Sequence, residues 1–390
     1  MRMTRGLRPL LVAQFLTAFG DNAILFAAIA MVLQGGRAPD GYIPALQAAF
    51  LLAYVLLAPW VGPLADRLSK PRVLILGNLV KAAGAGLVLA GAEPLLAYAL
   101  VGLGAAVYSP AKYGILPEMA GHDELVRANA WIEGSTIAAI ILGTFAGGRL
   151  ADWRIDATLW IIAALYVASM LVTLLIPRLA PRGARLGGAL TRFAGVVRQF
   201  MHSPRARFAM LGASLFWGAS AVLRVLLVAW APAVLATRSA GDISELVLFL
   251  AVGVIAGAAV VPRLIPLEHL RRARLAAYAM GGLILLLGLV DSAWPARLVL
   301  FATGVAGGLF VVPVNAALQE IGHARIGAGR AVAIQNFFQN LAMLLAVALY
   351  GAAEAGRVPP VGAMLALGGL VLLASLLISR RLPADQNRAR

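Results

Sequence analysis

Apolar runs of helix-crossing length, broken by glycine, proline or charged residues, recur twelve times along this chain, at about 9–34, 43–65, 71–91, 94–116, 125–150, 156–176, 207–236, 242–265, 271–291, 294–317, 327–352 and 359–380. An α-helix needs about 20 apolar residues to cross the hydrocarbon of a bilayer. The pattern therefore predicts an all-α polytopic membrane protein of twelve transmembrane helices with short connections. Charges are scarce inside the runs, yet Asp21 sits in the first and Arg224 in the seventh, at similar depth. A charge near the bilayer centre costs at least ~2.5–3.5 kcal/mol, so it faces a partner or a water-filled cavity rather than lipid. Two readings stay open for these residues: an ion pair that pins two helices, and a substrate or gating role.

Composition agrees with the pattern. At 61% hydrophobic and 13% charged side chains over 390 residues, the chain is far more apolar than a soluble globule, whose usual figures are roughly 45–50% and 25%. Twelve spans use nearly all of the length, which leaves no room for a separate catalytic domain. There are no cysteines, and the four histidines, His122, His202, His269 and His323, fall in predicted loops on one side. A metal site, an intramembrane histidine relay and a nucleophile–base pair are all unsupported, so neither an enzyme nor a cofactor is expected. The first run begins like a secretory signal but is longer than the roughly 7–15 apolar residues of a signal core, and is read as an uncleaved helix.

The clearest break is the segment from Pro177 to Arg207, which carries Arg178, Arg182, Arg185, Arg192, Arg198, Arg205 and Arg207 and no acid. It divides the chain into six-helix halves at 1–178 and 207–390 with a basic linker at 179–206. Most other basic residues fall on the linker side, whereas the opposite side holds only Arg37, Arg149, Arg154, Arg238, Arg297 and Arg357. Cytoplasmic loops retain Lys and Arg, so both termini are expected in the cytoplasm. This asymmetry accounts for the net charge of +16 without nucleic acid as a partner. Anionic headgroups offer the basic linker an alternative surface. Trp153, Trp160, Trp230 and Trp294 lie near predicted outer helix ends, where amphipathic rings suit the interface. Lys81, inside the third run, reads as a side chain snorkelling to the headgroups.

Between the second and third runs stands Gly62-Pro63-Leu64-Ala65-Asp66-Arg67-Leu68-Ser69-Lys70-Pro71-Arg72. It resembles the signature loop of the major facilitator superfamily, G-x-L-A-D-R-x-G-R-K/R, with Ser69 in place of the later glycine. The resemblance implies the major facilitator fold and a gating role for Asp66 and Arg67, as a latch of the outward-facing state. The matching place in the second half, Val261-Pro262-Arg263-Leu264-Ile265-Pro266, lacks the glycine and the aspartate. Gly143-Thr144-Phe145-Ala146-Gly147-Gly148 in the fifth run is a small-residue stripe suited to close helix contact. Glu133, also in the fifth run, is either an ion-pair or protonatable group or a residue reaching the cytoplasmic interface.

The most specific words are Ala13-Gln14-Phe15-Leu16-Thr17-Ala18-Phe19-Gly20-Asp21-Asn22, Tyr108-Ser109-Pro110-Ala111-Lys112-Tyr113-Gly114-Ile115-Leu116-Pro117-Glu118, and Ser214-Leu215-Phe216-Trp217-Gly218 with Arg224. Together with Phe310-Val311-Val312-Pro313-Val314-Asn315 and Ala333-Ile334-Gln335-Asn336, they resemble the lysophospholipid transporter (LplT) family of Gram-negative inner membranes. The resemblance implies a flippase that moves lysophosphatidylethanolamine and related lysolipids from the outer to the inner leaflet by alternating access. It also implies functional coupling to a cytoplasmic acyltransferase and acyl-acyl carrier protein synthetase. A monomer is expected.

Such a cargo suits the buried charges. Asp21 can attract an ethanolamine ammonium and Arg224 can bind a phosphate through charge-assisted hydrogen bonds. Lys112 is a second phosphate candidate or a snorkelling residue, and Asn22 and Gln339 complete the expected binding set. Family members commonly carry a glutamate where this chain has Gln339, so a balancing charge is missing here. Asp21 or Glu133 would then take over the balancing of Arg224. The competing reading is a proton-coupled small-molecule or drug antiporter with Asp21 and Glu133 as proton carriers.

Overall fold

A computed structural model of the chain describes residues 6–35, 39–119, 122–177, 187–202, 204–264, 272–326 and 328–380. Among these residues the regular structure is helical throughout: α1 (Leu7–Gly35), α2 (Tyr42–Arg67), α3 (Lys70–Leu89), α4 (Pro94–Gly114), α5 (Leu116–Met119), α6 (His122–Trp153), α7 (Ile155–Thr173), α8 (Ala189–Met201), α9 (Pro204–Val234), α10 (Ala240–Leu264), α11 (Ala273–Leu287), α12 (Ala293–Ile326), α13 (Ala328–Ala355) and α14 (Pro360–Ser379). Eleven are long and apolar enough to cross a membrane. The twelfth expected span corresponds to α11, apolar but shorter, after a segment outside the described residues. The four-residue α5 and the basic, amphipathic α8 are additions that the apolar pattern does not contain.

Local chemistry sets the ends. Proline opens α4, α9 and α14, where its missing N–H removes a donor that would lack a helical partner anyway. After α3, Gly91 takes a positive φ of 82°, and the N–H groups of Gly91 and Ala92 return to the carbonyls of Val88 and Leu87, closing the helix. The second run expected at 43–65 is α2, which continues through Pro59 and Pro63 and two residues further to Arg67, so that only Leu68 and Ser69 separate it from α3. Pro71 lies in the first turn of α3, where a proline is tolerated.

The chain forms two compact units. Unit 1 comprises Met1–Arg37, Ala49–Phe193 and Ser239–Ser244, and unit 2 comprises Ala38–Ala48, Ala194–Arg238 and Glu245–Arg390. In unit 1, α1 packs on α6 and α7, while α3 packs on α4 and α7. The small-residue stripe of α6 serves packing: a side chain at Gly143 would meet the backbone of Phe19, and one at Gly147 the backbone of Ala23. These contacts bring α6 against α1 on either side of Asp21. One end of unit 1 is an apolar core of Leu7, Leu10, Val73, Leu74, Tyr108, Ile115, Ile132 and Ile176. In unit 2, α9 packs on α12, α13 and α14, and α11 on α12 and α14. The α9 span is the most enclosed of the eleven, with 67% of its most apolar stretch buried. Trp230 lies on it and is fully buried, which corrects its reading as an interface residue. The indoles of Trp153, Trp160 and Trp294 are exposed, as the interface reading requires.

Candidate functional site

In unit 1 the polar side chains of three helices meet in one connected cluster. Asp21 on α1 accepts a hydrogen bond from the Lys81 ammonium on α3 at 2.7 Å, through Oδ2, and one from the Tyr166 hydroxyl on α7 at 3.0 Å, through Oδ1. Lys81 also donates to the Thr17 hydroxyl at 2.9 Å. Thr17 donates to Asn78 at 2.6 Å, Asn78 to Ser169 at 2.8 Å, and Ser169 to the Ala13 carbonyl at 2.8 Å. The result is a continuous relay of hydrogen bonds between α1, α3 and α7, and it satisfies groups that would each cost free energy if left unpaired among apolar helices.

The pair is asymmetric. The Lys81 side chain is 1% exposed and that of Asp21 is 18% exposed. Aromatic faces complete the lysine's surroundings, with Tyr108 4.8 Å and Tyr166 5.7 Å from the ammonium to ring centroid, within the range of cation–π attraction. Two glycines make the geometry possible. A methyl group at Gly20 would stand 2.8 Å from the Tyr166 ring, and one at Gly104 would stand 2.7 Å from the Lys81 stem.

Unit 2 holds a different polar cluster. Gln335 and Gln339 on α13 both donate to the side-chain oxygen of Asn315 on α12, at 3.0 and 3.4 Å. Gln339 is buried and its amide is therefore tied to a neutral neighbour. Arg224 lies half-buried on α9 of the same unit. Of the remaining expected residues, Asn22 donates to the Ala18 carbonyl one turn back in its own helix. Lys112 is 7% exposed, with its ammonium 4.2 Å from the centroid of the Tyr113 ring, so the snorkelling alternative for it does not hold. It sits in the last turn of α4, where a positive charge complements the helix dipole. Asp66 pairs with Lys70 at 3.5 Å across the α2–α3 break, while Arg67 is exposed. Lys70 is buried rather than a free loop cation, and Gly114 leaves room for its stem. Glu133 lies on α6, but its side chain falls outside the described residues.

The model of the Major Facilitator Superfamily matches residues 10–347. The chain is 44% identical over 366 residues to the lysophospholipid transporter LplT of Cronobacter sakazakii, an alignment covering 92% of this chain and 91% of that protein. It is 43% identical over 375 residues to LplT of Photorhabdus laumondii, covering 95% and 94%. The chain belongs to the LplT family of the major facilitator superfamily. Among solved structures, the nucleoside transporter NupG aligns with a TM-score of 0.76 at 14% identity, covering 96% of this chain and 98% of that one. The human organic anion transporter MFSD10 (TETRAN) aligns with a TM-score of 0.67 at 16% identity, covering 96% and 99%. Both share the fold, and the chain is a multi-pass membrane protein.

Within this LplT family member, Lys81 is the main correction to the sequence reading. A snorkelling lysine must reach the headgroups, but Lys81 stands eleven residues beyond the start of α3, about 16 Å along the axis. No lysine stem bridges that distance. Asp21 lies fourteen residues into α1, so depth arithmetic alone would have suggested pairing the two. The site residues absent from the sequence analysis, Tyr166, Asn78 and Ser169, gave only a weak signal, as single polar or aromatic groups within apolar runs, and Tyr108 stood there only as part of a family motif. The described ionic partner of Asp21 is Lys81.

Proposed function

We propose that this chain is a lysophospholipid transporter that moves lysophosphatidylethanolamine and related lysolipids from the outer to the inner leaflet of a Gram-negative inner membrane by alternating access. Support comes first from identity of 44% to an LplT protein across 92% of the chain. The Asp21 carboxylate, partly open at membrane depth beside an enclosed lysine, adds chemistry suited to a cationic headgroup. Arg224 and Lys112 serve as phosphate ligands in this reading, and Asn22 and Gln339 as polar neighbours of the headgroup. Asp66, Arg67 and Glu133 act in gating, and the halves 1–178 and 207–390 alternate about the linker 179–206. Both termini are cytoplasmic, the transporter works as a monomer, and its product feeds re-acylation by a cytoplasmic acyltransferase.

Proton-coupled antiport is the competing function. The lipid reading is favoured by the identity of 44% to an LplT protein across 92% of this chain. The test is transfer of labelled lysophosphatidylethanolamine to the inner leaflet of proteoliposomes, with and without a proton gradient, for wild type, Asp21→Asn and Arg224→Ala. Protein-dependent transfer that is lost in the folded variants is expected. No transfer by folded wild-type protein, or full transfer by both variants, contradicts the proposal.

A further inference from the structure

We infer that Asp152 and Arg149, at the end of α6, form with the first turn of α10 a releasable latch on the outer side of the membrane, which must open in every transport cycle. The inference rests on the proposed alternating access and deepens it.

Asp152 holds the start of α10 by placing a carboxylate on its N-terminus. Its Oδ1 accepts from the Ala240 N–H at 3.0 Å, and its Oδ2 accepts from the Gly241 N–H at 2.7 Å and from the Ser239 hydroxyl at 2.5 Å. Ser239 Oγ in turn accepts from the Asp242 N–H at 3.0 Å. The first N–H groups of a helix have no partner within it. Here Asp152 and the serine it engages take up those of Ala240, Gly241 and Asp242, at the end where the helix dipole favours a negative charge. Beside this cap Arg149 donates to Asp242 at 3.2 Å. Glycines let the backbones approach: a methyl group at Gly148 would stand 2.7 Å from the Ala240 carbonyl oxygen, and one at Gly241 would stand 2.8 Å from Asp152 Oδ2. Gly148 thus serves α10, where Gly143 and Gly147 serve α1.

Two features distinguish a latch from a fixed joint. First, these contacts lie within compact unit 1, which takes in Ser239–Ser244, whereas the rest of α10 belongs to unit 2. About one turn on from Asp242, Glu245 pairs with Arg297 of α12 at 3.0 Å, within unit 2. Neighbouring turns of α10 are therefore tied to α6 and to α12. Second, the two ties differ in enclosure. The side chains of Arg297 and Glu245 are 21% and 23% exposed, those of Arg149 and Asp242 45% and 42%. Water replaces partners readily at the exposed tie, where an ion pair is weak, while the enclosed tie keeps α10 with α12. When the halves rock, the contact that yields is the one at Asp152. In the proposed topology α6 ends and α10 begins on the outer side, so the latch closes outer access and its release opens it.

The chain has no cysteines, so introduced ones report alone. Ser244, fully buried one turn into α10, is the first probe. Ser244→Cys is labelled in spheroplasts with a membrane-impermeant maleimide, with and without Asp152→Ala. Labelling is expected to be slow with Asp152 in place and about tenfold faster or more without it, the scale of one hydrogen bond to a charged group. The second probe is the pair Asp152→Cys/Ser239→Cys, oxidised to a disulfide or bridged by a short bis-methanethiosulfonate, in proteoliposomes supplied with lysophosphatidylethanolamine. The crosslink is expected to stop transfer, and reduction to restore it. Equal labelling rates in folded protein overturn the inference. Crosslinked protein that transfers at the rate of its reduced form overturns it too, and assigns any faster labelling to fraying of a fixed joint. Thermal unfolding in detergent shows which variants are folded, and where one arm lacks a folded or active reference the other decides. Wild-type protein that moves no lysolipid contradicts the proposed function, while the labelling, which uses no cargo, still decides the latch.

Discussion

In unit 1 the cluster around Asp21 is held by an ion pair, whereas in unit 2 Asn315, Gln335 and Gln339 form a cluster of neutral amides. The two clusters lie among similarly apolar helices, so the contrast isolates chemistry from environment. In unit 1 each member has a fixed partner, and Lys81 and Asp21 compensate each other's charge. In unit 2 a single oxygen of Asn315 accepts from two amides. An amide that loses one bond leaves no charge behind, while an ion that loses its partner does. The comparison teaches that the ion-paired cluster of unit 1 depends on the integrity of a network and that the amide cluster of unit 2 has slack.

The largest effects are expected from halving the ion pair. Lys81→Met or Asp21→Asn should each destabilise by about 3–5 kcal/mol, because the remaining charge is stranded. Thermal unfolding of purified protein in detergent measures this, and an unchanged midpoint in either variant would break the comparison. Next comes Gly20→Ala, which places a methyl group 2.8 Å from the Tyr166 ring and should cost about 1–3 kcal/mol through overpacking. Reduced transfer of ethanolamine lysolipid should accompany the loss, since the displaced phenol is a ligand of Asp21. Tyr166→Phe removes one hydrogen bond to a charged group and should cost about 1.5–3 kcal/mol while the lysine contact persists. The smallest effect belongs to unit 2. Gln339→Leu should cost about 0.5–1.5 kcal/mol, because Asn315 keeps its shorter bond from Gln335. A loss there as large as that of Lys81→Met would show that unit 2 has no slack.

Much of this architecture is written in the chain. Apolar runs of helix-crossing length placed the spans, because a bilayer leaves a backbone few other ways to satisfy its hydrogen bonds. The charge at Asp21 stood out for a similar reason, since few acids are tolerated at that depth. The partner was harder to read. Lysine has a bland explanation near any membrane, and only the distance from the start of α3 argues against it. Tyr166 and Ser169 come into register with Asp21 through the packing of α7 on α1, which no local pattern encodes. The burial of Trp230 is not legible from its place near a helix end, because position along α9 says nothing about which face its ring occupies. Pro59 and Pro63 do not hide the second span, because a membrane helix tolerates proline, and both lie within α2.

The most direct test of the central claim is a double-mutant cycle on Asp21 and Lys81. Thermal stability and lysophosphatidylethanolamine transfer would be measured for wild type, Asp21→Asn, Lys81→Met and the combined variant. The account predicts strong coupling: the combined variant recovers much of the stability lost by either single change but does not recover transfer. Stability losses that simply add, or full transfer by the combined variant, would contradict it.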